Sequence, residues 1–379
     1  MKIKFDRPTL QDAISTVMYT VSNKNTIASV EGILITCEND KVVLTTYDLE
    51  KGMRIEIDAE IEEPGSCILN AQSLNSMIRV MPAGIIDLSV NEYYRAKISC
   101  GNTEFELNGM GEKEFPTLPD DTKNVGFNIK QGDLKSMIVQ TLFAVAQNDA
   151  RATLNGAYFK IKGNRITAVG CDSFRLAIRE KVCELENTSD FDLDISFIIP
   201  GRTLNELLKI LNDPDETVSI VLNKKQAIFN FEKRSMIFFS RLIEGEYIDY
   251  ERIVPQNSSI FVNVDTAVLE GALSRASLVT DDTAGKNKSL ARCNFHNNKL
   301  EITSVSVNGK VRDEIPTVQE GNDIEIGFNC RYLTDALKAS MCEKLRLSLS
   351  SPYISMIIEA LDSDENDRFI FLVLPCKMR

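Results

Sequence analysis

The sequence predicts an α+β protein made of three consecutive copies of one domain, each with two helices and about eight strands. A helix-like segment recurs with leucines at Leu74, Leu204 and Leu333, which are 130 and 129 positions apart. A hairpin pattern and a set of alternating strands recur around it. A period of this length is the size of a whole domain and is too long for a solenoid repeat. We therefore expect domains at residues 1–122, 123–255 and 256–379.

Each copy begins with a strand and an amphipathic helix. The three predicted helices cover residues 8–21, 131–146 and 265–280. In the second, Leu134, Ile138 and Leu142 recur at a spacing of four residues, which is typical of a helix with one buried face.

A β-hairpin follows in each copy. Its turns are predicted at residues 38–40, 162–164 and 297–298, which are rich in Asn, Asp and Gly. These residue types tolerate the positive φ that tight hairpins require.

The second helix of each copy follows another strand and is predicted near residues 71–78, 200–207 and 329–336. Each copy then closes with strands of alternating polarity, at 86–90, 218–222 and 345–349. A helix pair packed on antiparallel sheet is an α+β layer arrangement. Two chains would supply six such domains, enough for a closed ring that leaves no exposed sheet edge between domains.

Composition indicates an ordinary globular protein. The 379 residues are 43% apolar and 26% charged, with a net charge of -12. No apolar run is long enough to span a bilayer, and the first six residues alternate like a strand and not like a signal peptide. The nine cysteines are scattered and form no CxxC pair, which favours reduced thiols in a cytoplasmic protein.

The search for catalytic motifs is largely negative. His296 is the single histidine, and the sequence contains no HExxH, GxSxG or Walker A motif and no Cys/His cluster with zinc spacing. We therefore expect no enzyme, no metal and no cofactor. The residues alone leave two alternatives open: a hydrolase of nucleic acid that uses scattered carboxylates, and a structural repeat protein.

Charge is distributed unevenly. Helical windows 8–21, 70–81, 130–147, 201–213, 264–280 and 330–342 hold eight basic and seven acidic residues, a net of +1, so the rest of the chain carries -13. A helical surface that faces a polyanion would explain this pattern, and so would helices of ordinary mixed charge.

Several segments resemble one known family along the whole chain. They are TTYDLE at 45–50, LNG at 154–156 with CDSFRLA at 171–177, RLIEGEYIDY at 241–250, and LVLP at 372–375. Each is weak alone, but their order on a threefold repeat of this length resembles the bacterial DNA sliding clamp, the beta subunit of DNA polymerase III.

The resemblance implies a head-to-tail homodimer that closes six domains into a ring around double-stranded DNA, with helices inside and sheets outside. Such a clamp is a processivity factor for DNA replication: it binds DNA without sequence preference, catalyses no reaction, needs no cofactor, and has no membrane partner. A clamp loader would open it, and it would tether the replicative DNA polymerase and other proteins that carry clamp-binding motifs.

The family also has a hydrophobic peptide-binding groove between its second and third domains. The positions that match it here are Leu154, Cys171, Ser173, Phe174, Arg175, Leu176, Ile248, Arg252, Ile253, Asn329, Tyr332, Tyr353, Ser355, Val373, Leu374, Pro375 and Cys376. Apolar and sulfur side chains suit such a pocket, and the two arginines are expected to hold polar groups of the peptide. Phe174 stands where many relatives have His, and Ile248 where many have Pro, so the pocket shape is expected to differ.

Two further residue sets follow from the resemblance and the helix charges. Those expected to face DNA are Lys24, Arg79, Lys135, Asn148, Arg202, Lys209, Arg275, Arg331 and Lys338. Those expected at the dimer interface are Phe105 and Leu107 on an edge strand, with Leu278 and Val279 at the end of a helix. The first helix, predicted at 8–21, carries no basic residue.

Overall fold

A computed structural model describes residues 1–22, 27–38, 41–117, 125–190, 192–279, 290–306 and 309–378. Within these ranges the chain forms six α-helices and 27 β-strands. The helices are α1 (Arg7–Val17), α2 (Ala71–Val80), α3 (Gln131–Leu142), α4 (Gly201–Ile210), α5 (Thr266–Ser277) and α6 (Cys330–Ser340).

The strands divide equally among the three copies. The first has β1 (Lys2–Asp6), β2 (Gly32–Glu38), β3 (Lys41–Tyr47), β4 (Lys51–Ile57), β5 (Glu60–Glu63), β6 (Ser66–Asn70), β7 (Ile85–Val90), β8 (Arg95–Cys100) and β9 (Thr103–Asn108). The second has β10 (Val125–Lys130), β11 (Gly156–Lys162), β12 (Arg165–Cys171), β13 (Arg175–Val182), β14 (Glu186–Asn187), β15 (Asp194–Pro200), β16 (Thr217–Leu222), β17 (Gln226–Phe231) and β18 (Met236–Arg241). The third has β19 (Ile260–Asp265), β20 (Leu290–His296), β21 (Lys299–Ser306), β22 (Gly309–Pro316), β23 (Val318–Glu320), β24 (Ile324–Asn329), β25 (Lys344–Leu349), β26 (Met356–Ala360) and β27 (Asp367–Val373).

The α+β class predicted from sequence is confirmed, but each copy has nine described strands where about eight were predicted. In the second and third copies the additional strand is a short outer one. Strand β14 has only two residues and β23 has three. Segments this short are too brief to show an alternating pattern.

Side-chain caps fix where the helices begin. Asp6 accepts a hydrogen bond from the backbone N–H of Thr9 at 3.2 Å, and Asp265 does the same for Val268 at 3.0 Å. Such a carboxylate satisfies an amide that the helix leaves without a partner. Helix α1 therefore begins at Arg7, so the prediction of a first helix without a basic residue is wrong. The Arg7 guanidinium donates to the carbonyl oxygen of Arg79, at 3.0 Å.

The leucines that mark the repeat occupy equivalent buried positions. Leu74, Leu204 and Leu333 lie inside α2, α4 and α6, and each is buried. The predicted turn at 297–298 is also confirmed, because Asn297 and Asn298 have φ of 51° and 56°.

Residue contacts divide the chain into two compact units. The first contains residues 1–132, 185–192 and 205–242, and the second contains 133–184, 193–204 and 243–379. Residues of the predicted second domain therefore occur in both units.

The first unit holds a five-stranded and a nine-stranded sheet. The five-stranded order is β5-β1-β7-β8-β9, and the nine-stranded order is β14-β10-β16-β17-β18-β4-β3-β2-β6. The nine-stranded sheet crosses from one copy to the next where β18 pairs antiparallel with β4, with Phe238 opposite Met53.

The second unit repeats this arrangement. Its nine-stranded order is β15-β11-β12-β13-β27-β26-β25-β19-β23, and its four-stranded order is β22-β21-β20-β24. Here β13 pairs antiparallel with β27, with Ala177 opposite Phe371. In the part of the chain that is described, β9 and β22 each lie at a sheet edge with a partner on one side.

All nine cysteines are free thiols, and six of them are buried. Burial raises the pKa of the Cys67 and Cys330 thiols to about 12, so both stay protonated at neutral pH.

The described residues contain neither a candidate membrane-spanning helix nor a candidate metal site. None of their helices is long and apolar enough to cross a membrane. No three His, Cys, Asp or Glu side chains among them are grouped so that they could hold a metal ion.

The close contact at Gly52 in β4 generates a stability prediction. A Cβ built on Gly52 would lie 2.3 Å from the ring of Phe239 and 2.5 Å from the carbonyl oxygen of Thr46. We expect Gly52→Ala to lower the free energy of unfolding by about 1–3 kcal/mol, as overpacking does. A fall in melting temperature, followed by circular dichroism, measures this.

Gly271→Ala is the matched control, because Gly271 lies in helix α5 and its nearest neighbour would be 3.4 Å away. This change should raise stability by about 0.5–1 kcal/mol. Equal shifts of the same sign in the two variants would contradict the packing argument.

Candidate functional site

The turn between β12 and β13 presents an aromatic side chain to solvent. The Asp172 carboxylate accepts hydrogen bonds from the backbone N–H groups of Phe174 and Arg175, both at 3.0 Å. Ser173 adopts a left-handed φ of 74°, which completes the tight turn. Phe174 is held on the outside of this turn with 56% of its surface exposed.

Arg175 is already paired within the chain. Its guanidinium donates to Asp172 at 2.9 Å and to Asp335 at 2.6 Å, and it lies 4.6 Å from the centre of the Tyr332 ring. We expected Arg175 to hold polar groups of a peptide. Within the chain it braces the turn against helix α6 and packs on Tyr332.

An exposed apolar ledge forms beside this turn. The rings of Phe174 and Tyr332 stack with centroids 5.9 Å apart. The backbone N–H of Leu374 donates to the carbonyl oxygen of Phe174 at 2.9 Å, which places the partly exposed Leu374 next to the stack. Three residues predicted from different parts of the sequence are therefore brought together.

A buried cluster lies behind the turn. Leu154, Cys171 and Leu176 pack in one hydrophobic cluster with Ile357 and Leu372. All five are buried, so they shape the wall of a site and do not offer free surface. Burial also raises the pKa of the Cys171 thiol.

Aromatic side chains that sequence reasoning missed cover this cluster. Tyr247, Ile248 and Tyr250 are partly buried against it, and the Tyr158 and Tyr247 rings stack at 5.1 Å. Of these, only Ile248 was predicted. The aromatic residues of the segment 246–250, which ends close to the predicted domain boundary at residue 255, are the signal that could have indicated them.

The chain end is fixed by the sheet. Val373 is buried and lies opposite Arg175 on one side and Met356 on the other. Past the half-buried Pro375, the N–H of Cys376 donates to the carbonyl oxygen of Gly327 at 2.7 Å. This tail therefore lies along the same unit as the ledge.

Other predicted residues lie at the margins of the site or have local roles. Asn329 caps helix α6 by accepting from the N–H of Arg331 at 2.9 Å. Tyr353 is highly exposed and half-buried Ser355 directly precedes Met356, which pairs with Val373. In the short 3₁₀ helix Tyr250–Ile253, Arg252 forms an ion pair with Asp249 at 2.8 Å, and Ile253 is exposed.

The first unit contains an equivalent turn, but there an aromatic ring covers the strand that follows the turn. Asp48 accepts from the N–H of Lys51 at 2.7 Å, and Leu49 has a φ of 76°, which matches Asp172, Arg175 and Ser173. Gly52 stands at the position of Leu176, however, and the Phe239 ring occupies the space above it. Tyr47 packs on Phe239 with centroids 5.4 Å apart.

Eight of the nine residues expected to face DNA lie in the described part of the chain, and all eight are exposed. They are Arg79, Lys135, Asn148, Arg202, Lys209, Arg275, Arg331 and Lys338. Lys24 lies outside the described residues. Lys209 and Arg275 are paired with Glu206 at 2.6 Å and Asp313 at 2.5 Å.

With their observed bounds the six helices carry eight basic and five acidic residues, a net of +3 in a chain of -12. The difference in net charge between the helices and the rest of the chain is therefore larger than the sequence predicted. Arg7 lies inside α1, and acidic residues at the ends of several predicted helical windows lie outside the helices.

Of the four residues expected at a dimer interface, one is exposed and three are half-buried. Phe105 and Leu107 point to one side of the edge strand β9, where they are half-buried. Leu278 follows helix α5 with 84% of its surface exposed, and Val279 is half-buried.

Comparison with known proteins places all three copies in one family. Family models for the N-terminal, central and C-terminal domains of the DNA polymerase III beta subunit match residues 1–119, 128–249 and 251–376.

Named relatives agree with this. The beta sliding clamp of Bacillus subtilis is 30% identical over 387 residues and covers 100% of both chains. Crystal structures of the Bacillus subtilis DNA polymerase sliding clamp and of a DNA polymerase III beta subunit from Eubacterium rectale match with TM-scores of 0.92 and 0.91. Their sequences are 29% and 28% identical, again over 100% of both chains.

The threefold repeat, the two nine-stranded sheets and these matches together show that the chain belongs to the bacterial DNA polymerase III beta subunits, the beta sliding clamps that act as processivity factors in DNA replication.

Proposed function

We propose that two copies of this chain close head to tail into a ring of six domains that encircles duplex DNA. The observation that carries this proposal is the sheet topology. Two junctions between copies each form a nine-stranded sheet, while the five-stranded and four-stranded sheets each have two outer strands, among them β9 and β22. Pairing these edges between chains would build a third junction of the same size.

An unpaired sheet edge exposes backbone donors and acceptors that favour pairing with another strand. Pairing β9 of each chain with β22 of the other satisfies both edges in both chains and adds none. Closed symmetry of this kind is the usual form of a soluble homodimer. Phe105, Leu107, Leu278 and Val279 would contribute the apolar part of the interface.

In the proposed ring the helices face the DNA and the sheets face outward. Exposed basic groups from α2 to α6, with Asn148, would attract phosphates, and the acidic remainder of the chain would keep the outer surface soluble. Contacts to phosphate carry no sequence information, and a small number of weak contacts permits sliding.

The ring would act by encircling DNA and not by reacting with it. It would catalyse no reaction and require no cofactor, and a separate clamp loader would open it in the cytoplasm. We assign the three domains of each protomer to residues 1–122, 123–255 and 256–379. The comparisons give no support to the alternative of a carboxylate-dependent hydrolase.

We further propose that partner proteins, among them the replicative polymerase, bind by short hydrophobic peptides at the ledge of Phe174, Tyr332 and Leu374. The buried cluster of Leu154, Cys171 and Leu176 would form the wall of the groove. Exposed aromatic side chains that are already held in place provide contact area with little entropy loss, as binding hot spots require.

The dimer generates a mass prediction. The chain has a mass of 42.4 kDa, so light scattering during size exclusion should give about twice that value. A mass of one chain at micromolar concentration would contradict the ring.

Encirclement generates a second prediction, because a sliding ring is lost from DNA that has free ends. After loading onto a nicked circle, the protein should remain bound, and cutting the circle once should release it within minutes. Blocking both ends of the cut DNA with bulky protein complexes is the control and should restore retention. Equal retention on open linear DNA would indicate ordinary binding.

The ledge generates a third prediction. Phe174→Ala should weaken binding of a clamp-motif peptide by about tenfold or more, as loss of an aromatic hot spot does, and fluorescence anisotropy measures this. Tyr93→Ala is the matched control, because Tyr93 is an exposed aromatic residue in the first unit, with 81% of its surface accessible. Similar affinities for the two variants would show that the ledge is not the site.

A further inference from the structure

We propose that the two junctions inside the chain carry different sets of matching side chains, which select β4 as the partner of β18 and β13 as the partner of β27. One difference is a steric pair on one face of the sheet, and the other is a charged cluster on the opposite face. This selection concerns the folding of a single chain and does not depend on the proposed ring.

The two junctions can be compared position by position. Gly52 is the second residue of β4, and Leu176 is the second residue of β13. Their antiparallel partners are Phe239 in β18 and Leu372 in β27. The steric pair is therefore glycine with phenylalanine at the first junction, and leucine with leucine at the second.

The two steric pairs are poorly suited to an exchange of partners. A Cβ at Gly52 would overlap the Phe239 ring, so β18 needs a glycine at this position of its partner strand. On β13 the same ring would meet the whole side chain of Leu176. On β4, by contrast, Leu372 of β27 is smaller than phenylalanine and would leave space above Gly52. The first exchange overpacks the position and the second leaves a cavity, and both are unfavourable.

A charged cluster on the helix-facing side distinguishes the second junction further. Arg179 of β13 is buried, with 5% of its surface exposed, and its guanidinium donates to the carboxylate of Asp367 in β27. Lys181 binds both Asp367, at 3.3 Å, and Asp133 of helix α3, at 2.9 Å. The charged cluster therefore joins a helix and a strand of the second copy to a strand of the third.

Both members of the central ion pair are charged at neutral pH. Burial tends to raise the pKa of the Asp367 carboxyl, but Arg179 and Lys181 outweigh this effect and hold the pKa below its usual value. The guanidinium also donates to the carbonyl oxygens of Glu180 and Arg368, at 2.9 Å and 3.0 Å. A partner strand without an acid here would leave the buried Arg179 without that counterion, which is strongly destabilising.

The first junction is apolar where β13 has its two basic residues. Ile55 and Ile57 of β4 occupy these positions, and both are buried. Counting back from the steric pair, the residue that corresponds to Asp367 is Arg234, just before β18. Arg234 donates to the carbonyl oxygen of Ile210 at the end of α4, at 2.9 Å. Pairing β18 with β13 would therefore add a third basic residue to the two that β13 already carries.

Selection of this kind matters because the copies present equivalent strands at their junctions. A repeat protein whose strands can pair with any copy is prone to domain swapping between chains and to misassembly. Here the steric pair and the charged cluster lie on opposite faces of one ladder, and both disfavour the pairing of β18 with β13. A penalty against the wrong partner gives specificity even where the correct contacts add little stability.

Rewriting the second junction with the side chains of the first tests this selection. The β13 set is Leu176→Gly, Arg179→Ile and Lys181→Ile. The β27 set is Leu372→Phe and Asp367→Arg. Each set alone mismatches its partner strand, so we expect the melting temperature, followed by circular dichroism, to fall by about 5 °C or more. The rewritten chain carries both sets and should recover most of that fall, because its side chains match again.

Stability and selection should separate in the rewritten chain, because its two junctions carry the same matching side chains. After unfolding in guanidinium and dilution to about 1 μM, it should return to a species that elutes with its never-unfolded form. At about 100 μM the yield of that species should be at least about threefold below that of the unaltered chain, with larger assemblies in its place. The unaltered chain at both concentrations is the control.

Two results would overturn the proposed selection. One is a rewritten chain that is no more stable than the chains with a single set, which would show that the side chains do not match as sets. The other is a rewritten chain that refolds as efficiently as the unaltered chain at both concentrations, which would show that the matching does not choose a partner.

If the rewritten chain does not fold, a smaller change at the first junction decides the same question. Gly52→Leu alone should lower the melting temperature, and adding Phe239→Leu should offset much of this, because the leucine pair of the second junction is then reproduced. The double variant should also refold with a lower yield than the unaltered chain at about 100 μM. Failure of Phe239→Leu to offset Gly52→Leu, or an unchanged yield, counts against the selection.

Discussion

Backbone pairing between the outer strand of one copy and the outer strand of the next is the interaction on which the rest of the structure depends. The β18–β4 and β13–β27 ladders each convert two separate hairpin sheets into one sheet of nine strands. A strand edge carries unsatisfied donors and acceptors that a packed protein must pair or protect. Each junction satisfies two edges, and among the described strands β9 and β22 remain outer strands of the five-stranded and four-stranded sheets.

The same junction architecture carries an exposed aromatic ledge in one unit, whereas in the other unit an aromatic ring covers the equivalent strand. Both have a turn in which an aspartate accepts hydrogen bonds from the backbone N–H groups two and three residues later. In the second unit the turn carries the exposed Phe174, whereas the first unit has Glu50 at that position and the Phe239 ring covers Gly52. A difference of a few side chains on a repeated backbone is therefore enough to limit the ledge to one of the two junctions.

Much of the fold could be predicted because it depends on local patterns. The buried leucines of α2, α4 and α6 and the Asn297–Asn298 turn were correct, since a helical stripe and a turn residue are determined by near neighbours in sequence. The start of α1 was wrong by one residue because Asp6, and not a later residue, caps the helix. The two-residue strand β14 was missed because it exists only through its pairing with β10.

In the candidate site, too, contacts between residues far apart in the chain could not be predicted. Phe174, Leu176 and Ile248 are predicted site residues that rest on family resemblance, but no local pattern indicates that Arg175 is bound by Asp335, 160 residues away. Together with the pair to Asp172, it engages the Arg175 guanidinium within the chain. The covering role of Tyr247 and Tyr250 was missed because an aromatic segment next to a predicted boundary gives no sign of which cluster it packs against.

The sequence by itself determined the threefold repeat, the helix and hairpin order within each copy, and membership of a family, since all three are encoded in short-range periodicity and motif order. Only the tertiary structure decided which strands join neighbouring copies, which edges stay free, and which junction is filled by an aromatic ring. These features depend on contacts between residues far apart in the chain, where the register of one strand against another determines which side chains meet.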